Sequence, residues 1–210
     1  MKNNKHTFQI IASVVILVVL IYFSQTYFGD EISELITILT AIAGVIAILY
    51  QLRKDYTITK AGFIYSLNDT FSNNSEIVYI YKLLKEYRDK ESIVFTEDDG
   101  RRMGDYIMYF EIMGYLLDED MVTIQMVDKI FSNKFFLFVN NPYTQKYQLK
   151  YSRINKPILE LYCTWSNYRL KTGQKELYHK HSLTKFESYI KKADNGHVEL
   201  NPDMMDVGYD

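Results

Sequence analysis

Residues 33–52 read SELITILTAIAGVIAILYQL, a run in which Glu34 is the one charged residue. A helix needs about 20 predominantly apolar residues to cross the hydrocarbon core of a bilayer, so this run has the length of a span. A buried helix of a soluble protein has the same appearance. What favours the span lies upstream. Residues 8–28, FQIIASVVILVVLIYFSQTYF, form a second long apolar run, and no Lys or Arg occurs between Lys5 and Arg53. Two such runs separated by a short acidic turn at Asp30 and Glu31 predict a transmembrane hairpin. A cleaved signal sequence is the rival for the first run, but signal cores are shorter and end at small residues. This run ends at Tyr22, Phe23, Tyr27 and Phe28, which suit the aromatic belt of a membrane interface.

Topology follows from the cations. Lys2 and Lys5 precede the first run, Arg53, Lys54 and Lys60 follow the second, and the turn between them has none. By the positive-inside rule both termini are cytoplasmic, which places the chain in the inner (cytoplasmic) membrane as a multi-pass protein.

The second run also carries a pattern. Ser33, Thr37, Thr40, Gly44, Ala47 and Gln51 recur at spacings of four and three, so they share one face of a helix, with Ala43 beside them. Lipid tails give helices no hydrophobic reason to associate, and small residues that let backbones approach closely supply the contact instead. The stripe therefore predicts a packing seam, against the first span or against the same helix in another copy. If several copies turned it inward it would line a pore, with Glu34 near the outer mouth.

Beyond residue 52 the sequence changes character. The chain as a whole has a net charge of -2, which argues against nucleic-acid binding through bulk charge. Its aromatic content, 15%, excludes disorder over most of the length. Prolines occur only at Pro142, Pro157 and Pro202, so the segments between breakers are long, and their helical period predicts an all-α fold. Helices are expected over residues 56–71, where residues of the second span continue with little interruption, and over 76–90, capped from Asn73, Asn74 or Ser75. Thr96 and Asp99 form a variant capping box for a helix over residues 98–117. Asp118 or Asp120 caps the next, which contains Val122 to Ile130. Residues 131–139 read as a short buried helix or a strand, and further helices follow Pro142 and Pro157. The organisation expected is a hairpin over 1–52, a cytoplasmic helical-bundle domain over 53–192 and a flexible tail over 193–210.

The run from Gly104 to Tyr147 and the later stretch ILELYCTWSNYR (158–169) resemble a family of uncharacterised bacterial proteins that join one or two N-terminal membrane spans to a small helical domain. The likeness covers about half the chain. It rests on Tyr109, Phe110 and Glu111, on the break from Leu117 to Asp120, on Asn141 and Pro142, and on Trp165, Tyr168 and Arg169. These are packing and capping positions, and no catalytic residue is carried over with them. What the resemblance implies is architecture, and proteins of this build include membrane effectors and sensors of bacterial anti-phage systems.

Candidate chemistry is sparse. His179 and His181 form His-x-His with only Glu176 and Glu187 nearby, short of the four ligands of a structural zinc site, and read as solvated, so no metal or other cofactor is expected. Cys163, the only cysteine, lies among Leu161, Tyr162 and Trp165 and reads as core. Glu97, Asp98 and Asp99 suit the positive end of a helix dipole better than an acid–base site. Glu111 sits amid Tyr106, Tyr109, Phe110 and Tyr115, where a carboxylate needs a partner, and Arg169, or else Lys134, is the expected partner in a structural ion pair. Lys171, Lys175, Lys180, Lys185, Lys191 and Lys192 cluster late in the chain; a solvated face is the plain reading, and anionic lipid or nucleic acid the others.

The function expected is that of a membrane-anchored, non-enzymatic interaction or sensor protein. It would self-associate through the second span into a homo-oligomer and bind a protein partner through its aromatic domain. The alternative is a membrane-perturbing or pore-forming effector of an anti-phage, abortive-infection system.

Overall fold

The computed structural model describes residues 30–90, 93–150, 154–185 and 190–201, together with positions 18, 19, 22 and 23. The first expected span therefore lies outside the described residues, apart from Val18, Val19, Tyr22 and Phe23, which are helical. One helix among the described residues is long and apolar enough to cross a membrane. The chain divides into two compact units, Met1–Thr59 and Lys60–Asp210, some residues later than the boundary expected after residue 52.

Helix α1 (Asp30–Asn73) runs 44 residues without a break, about 66 Å at 1.5 Å per residue. The expected continuity of residues 56–71 with the apolar run is found. Its first half belongs to the first unit. Its last turns bury Ile64, Leu67 and Phe71 in the core of the second.

Within the second unit α1 ends where Asn74 interrupts it. The Asn74 side chain accepts from the backbone N–H groups of Glu76 (3.0 Å) and Ile77 (3.1 Å), which starts helix α2 (Ser75–Lys90). Helix α3 (Glu97–Asp118) opens with the expected capping box. Asp99 N–H donates to the Thr96 hydroxyl at 3.2 Å, and Thr96 N–H donates back to the Asp99 carboxylate at 2.8 Å. It ends at Asp120, whose φ of 55° places it in the left-handed region after the last turn. Asp120 thus closes α3 and does not cap the next helix. That helix, α4 (Ile124–Val139), starts after Thr123 and is continuous, so the Phe-rich residues 131–139 are its second half. A π-helical turn (Thr144–Gln148) follows Pro142, and α5 (Lys156–Lys171) carries Pro157 in its first turn, where a missing N–H costs nothing.

The core is aromatic. Phe110, Phe131, Phe135, Phe138, Tyr106 and Trp165 have no exposure at all. Phe135 stacks on Trp165 with ring centroids 4.9 Å apart, and Tyr106 on Phe138 at 4.9 Å. Such pairs contribute roughly 0.5–1.5 kcal/mol each beyond the area they bury. Helix α3 packs against both α2 and α5, and α4 against α2 and α5.

After α5 two short 3₁₀ turns (His179–His181 and Leu183–Lys185) lead to a small antiparallel ribbon, β1 (Ile190–Lys192) and β2 (Val198–Leu200). The ribbon lies partly in the stretch expected to be a flexible tail. It is anchored because Ile190 and Val198 are buried and because the Asn167 amide of α5 acts as a third strand. Asn167 accepts from Val198 N–H and donates to Val198 C=O, both at 2.7 Å.

Candidate functional site: an exposed apolar helix and a buried ionic centre

From Ile38 to Leu52 the large apolar side chains of α1 are exposed. Exposure runs from 48% at Ile38 to 71% at Tyr50, with Leu39, Ile42, Val45, Ile46, Ile48, Leu49 and Leu52 between these values. A soluble helix hides such a set, since contiguous apolar surface in water drives association. Of the small stripe, Thr40 and Gly44 are half-buried and Thr37 and Ala47 exposed. A Cβ added at Gly44 meets nothing within 4 Å among the described residues, so the seam has room for a close neighbour. Gln51 is already engaged: its amide donates to the Asp55 carboxylate one turn on, at 3.0 and 3.2 Å. The side chain of Ser33 lies outside the described set.

The second unit has an ionic centre, but not the expected one. Arg169 pairs with Asp128, Nη1 to Oδ1 at 2.7 Å, and not with Glu111. Both are buried, and the same Asp128 oxygen accepts the Trp165 indole N–H at 2.8 Å. The second guanidinium nitrogen donates to Lys175 C=O at 2.9 Å, which ties down the chain just beyond α5. Asp128 is buried on α4 beside α5, whereas Glu111 on α3 is only partly buried. Lys134, the other partner considered for Glu111, lies over the rings of Phe71 (4.1 Å) and Phe131 (4.8 Å) and donates to Asn68. Burial holds its ammonium below the usual lysine range.

A second polar knot surrounds Glu176. Its carboxylate accepts from the Ser182 hydroxyl, and His179 Nδ1 lies 3.0 Å away. Ser182 is also 3.1 Å from the Tyr162 hydroxyl. Burial alone would raise the Glu176 carboxyl, but the bonds from Ser182 and His179 and the nearby Lys192 hold it below the usual range. This knot lies along a shallow cleft lined also by Arg169, Lys192 and Leu170, and its charges are paired within the protein. Lys185 Nζ stands 3.4 Å from the other ring nitrogen of His179, a position hostile to a metal ion.

The remaining candidates have structural roles. Asp98 is bound by Arg101 and Arg102, and Asp99 by its cap. For Asp99, burial pushes the carboxyl up, but the hydrogen bonds from Thr96 and Tyr79 outweigh it and the net shift is downward. Cys163 is buried, and burial pushes its thiol up to about 12, where it is a poor nucleophile. No group of three or more His, Cys, Asp or Glu able to hold a metal occurs among the described residues.

Sequence reasoning missed Asp128 and the ribbon. For Asp128 no local signal exists, since its partners lie 37 and 41 positions away. The ribbon had one: Asn195-Gly196 between two short apolar-ended segments is a hairpin signal, and Gly196 indeed takes φ 83°. The chain matches no protein-family model, no curated protein and no solved structure.

Proposed function

We propose that the chain is a membrane-anchored, non-enzymatic interaction protein, with α1 as a membrane-spanning helix and residues 60–201 as the domain that meets a partner. The observation that carries this is the exposed apolar run of α1 from Ile38 to Leu52, a surface that suits lipid and no aqueous setting. With residues 8–28 as a preceding span, the cations at Lys2, Lys5, Arg53, Lys54 and Lys60 put both termini in the cytoplasm of a multi-pass inner-membrane protein. The open space at Gly44, with Thr37, Thr40 and Ala47 along the same face, supports association of this helix with a second copy.

The test is expression of the full chain with a reporter after Asp210. The reading requires that the protein sediment with membranes, resist alkaline carbonate, need detergent for release, and show reporter activity on the cytoplasmic side only. A soluble chain, or a periplasmic reporter, overturns it. In the same cells cross-linking should give dimers or higher species that Gly44→Leu reduces. Collapse of the membrane potential on induction, relieved by Gly44→Leu or Thr40→Leu, would move the function to the membrane-perturbing effector.

A further inference from the structure

Helix α3 turns one face to the core and the opposite face outward. Met103, Tyr106, Phe110 and Met113 are buried, while Arg101, Asp105, Met108, Ile112, Tyr115 and Glu119 are all exposed. The exposed set recurs at spacings of four, three, four, three and four, the stripe along which two helices pack lengthwise. The outer face of such a helix is ordinarily polar throughout. Here its middle is not: Met108 is 54% exposed, Ile112 49% and Tyr115 63%. Scattered single apolar residues are normal on a surface, but large ones gathered in adjacent turns mark a place of contact.

The charges along the stripe select the occupant. Laid antiparallel against a second copy, in the register that sets Met108 opposite Ile112, the stripe meets its own complement. Asp105 then falls opposite Tyr115, carboxylate to phenol hydroxyl, and Arg101 opposite Glu119, cation to anion. Under a two-fold axis every such pairing occurs twice. Laid parallel, the same stripe sets Asp105 on Asp105 and Glu119 on Glu119, a juxtaposition of like charges that costs affinity. A bilayer fits less well, because Asp105, Asp118, Glu119 and Asp120 border the patch and anionic headgroups repel them. Within its own chain Arg101 is bonded to Asp98, which Arg102 also holds, so Asp98 keeps a counterion when Arg101 reaches across.

We propose that α3 is a second self-association surface, on which two copies of the chain pair antiparallel through Met108, Ile112 and Tyr115. The apolar centre supplies the attraction, and the charged layers at either end fix direction and register. The contact draws on residues 101–119 alone. It therefore goes beyond the seam proposed for α1 and does not require α1 to lie in a bilayer; a chain that proved soluble would overturn the anchor and leave this contact to its own test.

The test is disulfide trapping between differently tagged full-length chains in detergent micelles, one carrying Arg101→Cys and the other Glu119→Cys. The antiparallel pair sets these two positions side by side and holds two copies of Arg101→Cys about 27 Å apart, at 1.5 Å per residue. Oxidation should therefore join the unlike chains and not the like ones. Cys163 is buried and common to every chain, so the wild-type mixture sets the background. Trapping should persist with Gly44→Leu in both chains, which separates this contact from the α1 seam, and Ile112→Asp should reduce it about tenfold. Arg101→Glu alone should weaken self-association about fivefold by sedimentation equilibrium, and adding Glu119→Arg to the same chain should restore it, a rescue that mere loss of folding would not show. Trapping of like chains at Arg101→Cys, trapping of all pairs equally, no trapping, or trapping that Gly44→Leu abolishes overturns the proposal. In nanodiscs, a spin label at Ile112→Cys that is quenched by nickel-bearing lipid, with no second label near it, gives the face to the bilayer and overturns it as well.

Discussion

Ile46 and Ile80 are the same residue in the same kind of helix, yet Ile46 is 61% exposed and Ile80 fully buried. The two regions to which they belong use apolar side chains in opposite ways. Around Ile80, burial removes apolar surface from water, and each polar group that goes inside with it, such as Asp128 or Asn140, has to bring its hydrogen-bond partner. Around Ile46 the backbone satisfies itself within α1 and the side chains are left outward, the arrangement expected where the surrounding medium is hydrocarbon. Stability in the first region therefore depends on specific internal partners, and in the second, with α1 in a bilayer as proposed, on the absence of charge.

The largest effect should come from the buried centre. Asp128→Ala strips Trp165 of its acceptor and leaves Arg169 charged without a counterion, which should cost about 3–5 kcal/mol of domain stability, read by denaturant unfolding of the detergent-solubilised chain. A loss under 1 kcal/mol would mean the centre behaves as an exposed pair. Next comes Ile46→Arg, which penalises insertion by about 2.5–3.5 kcal/mol and should move the chain out of the carbonate-resistant membrane fraction while the domain's unfolding midpoint stays put. Were that midpoint to fall with it, the two regions would be parts of one water-facing core and the contrast would be broken. The smallest effect belongs to the helix cap: Thr96→Ala should cost about 1 kcal/mol. Its pH dependence has a fixed sign. The Asp99 carboxyl lies lower in the folded chain than its unfolded value of about 3.9, so the contribution is complete above that value and is lost as the pH falls through the folded one. The difference between wild type and Thr96→Ala should accordingly narrow in acid, and a difference that widened there would contradict the cap geometry.

What could be read from sequence was what is local. The apolar run over 33–52, the Asn74 break, the Thr96–Asp99 cap and the interruption at Pro142 each declare themselves within a few residues, and the structure has them all. Residues 131–139 were ambiguous because a short run of Phe, Leu and Val has no periodicity to separate a buried helix from a strand. Only their continuity with Ile124 settles it. Glu111 reads as a carboxylate in need of a cation, with Arg169 or Lys134 to supply it, but that Arg169 goes to Asp128 instead requires knowing that α4 brings Asp128 to Trp165 and Arg169 of α5. That is a property of packing, to which sequence spacing is blind.

The ribbon of β1 and β2 has one further consequence. Two three-residue strands do not stand alone in water; they persist because Ile190 and Val198 have a helix to lean on and Asn167 grips one edge. A structure held by two buried side chains and one amide should open at lower cost than the aromatic bundle, and native-state proton exchange would record it as a separate cooperative unit. The ribbon is in this sense a latch whose catch belongs to α5.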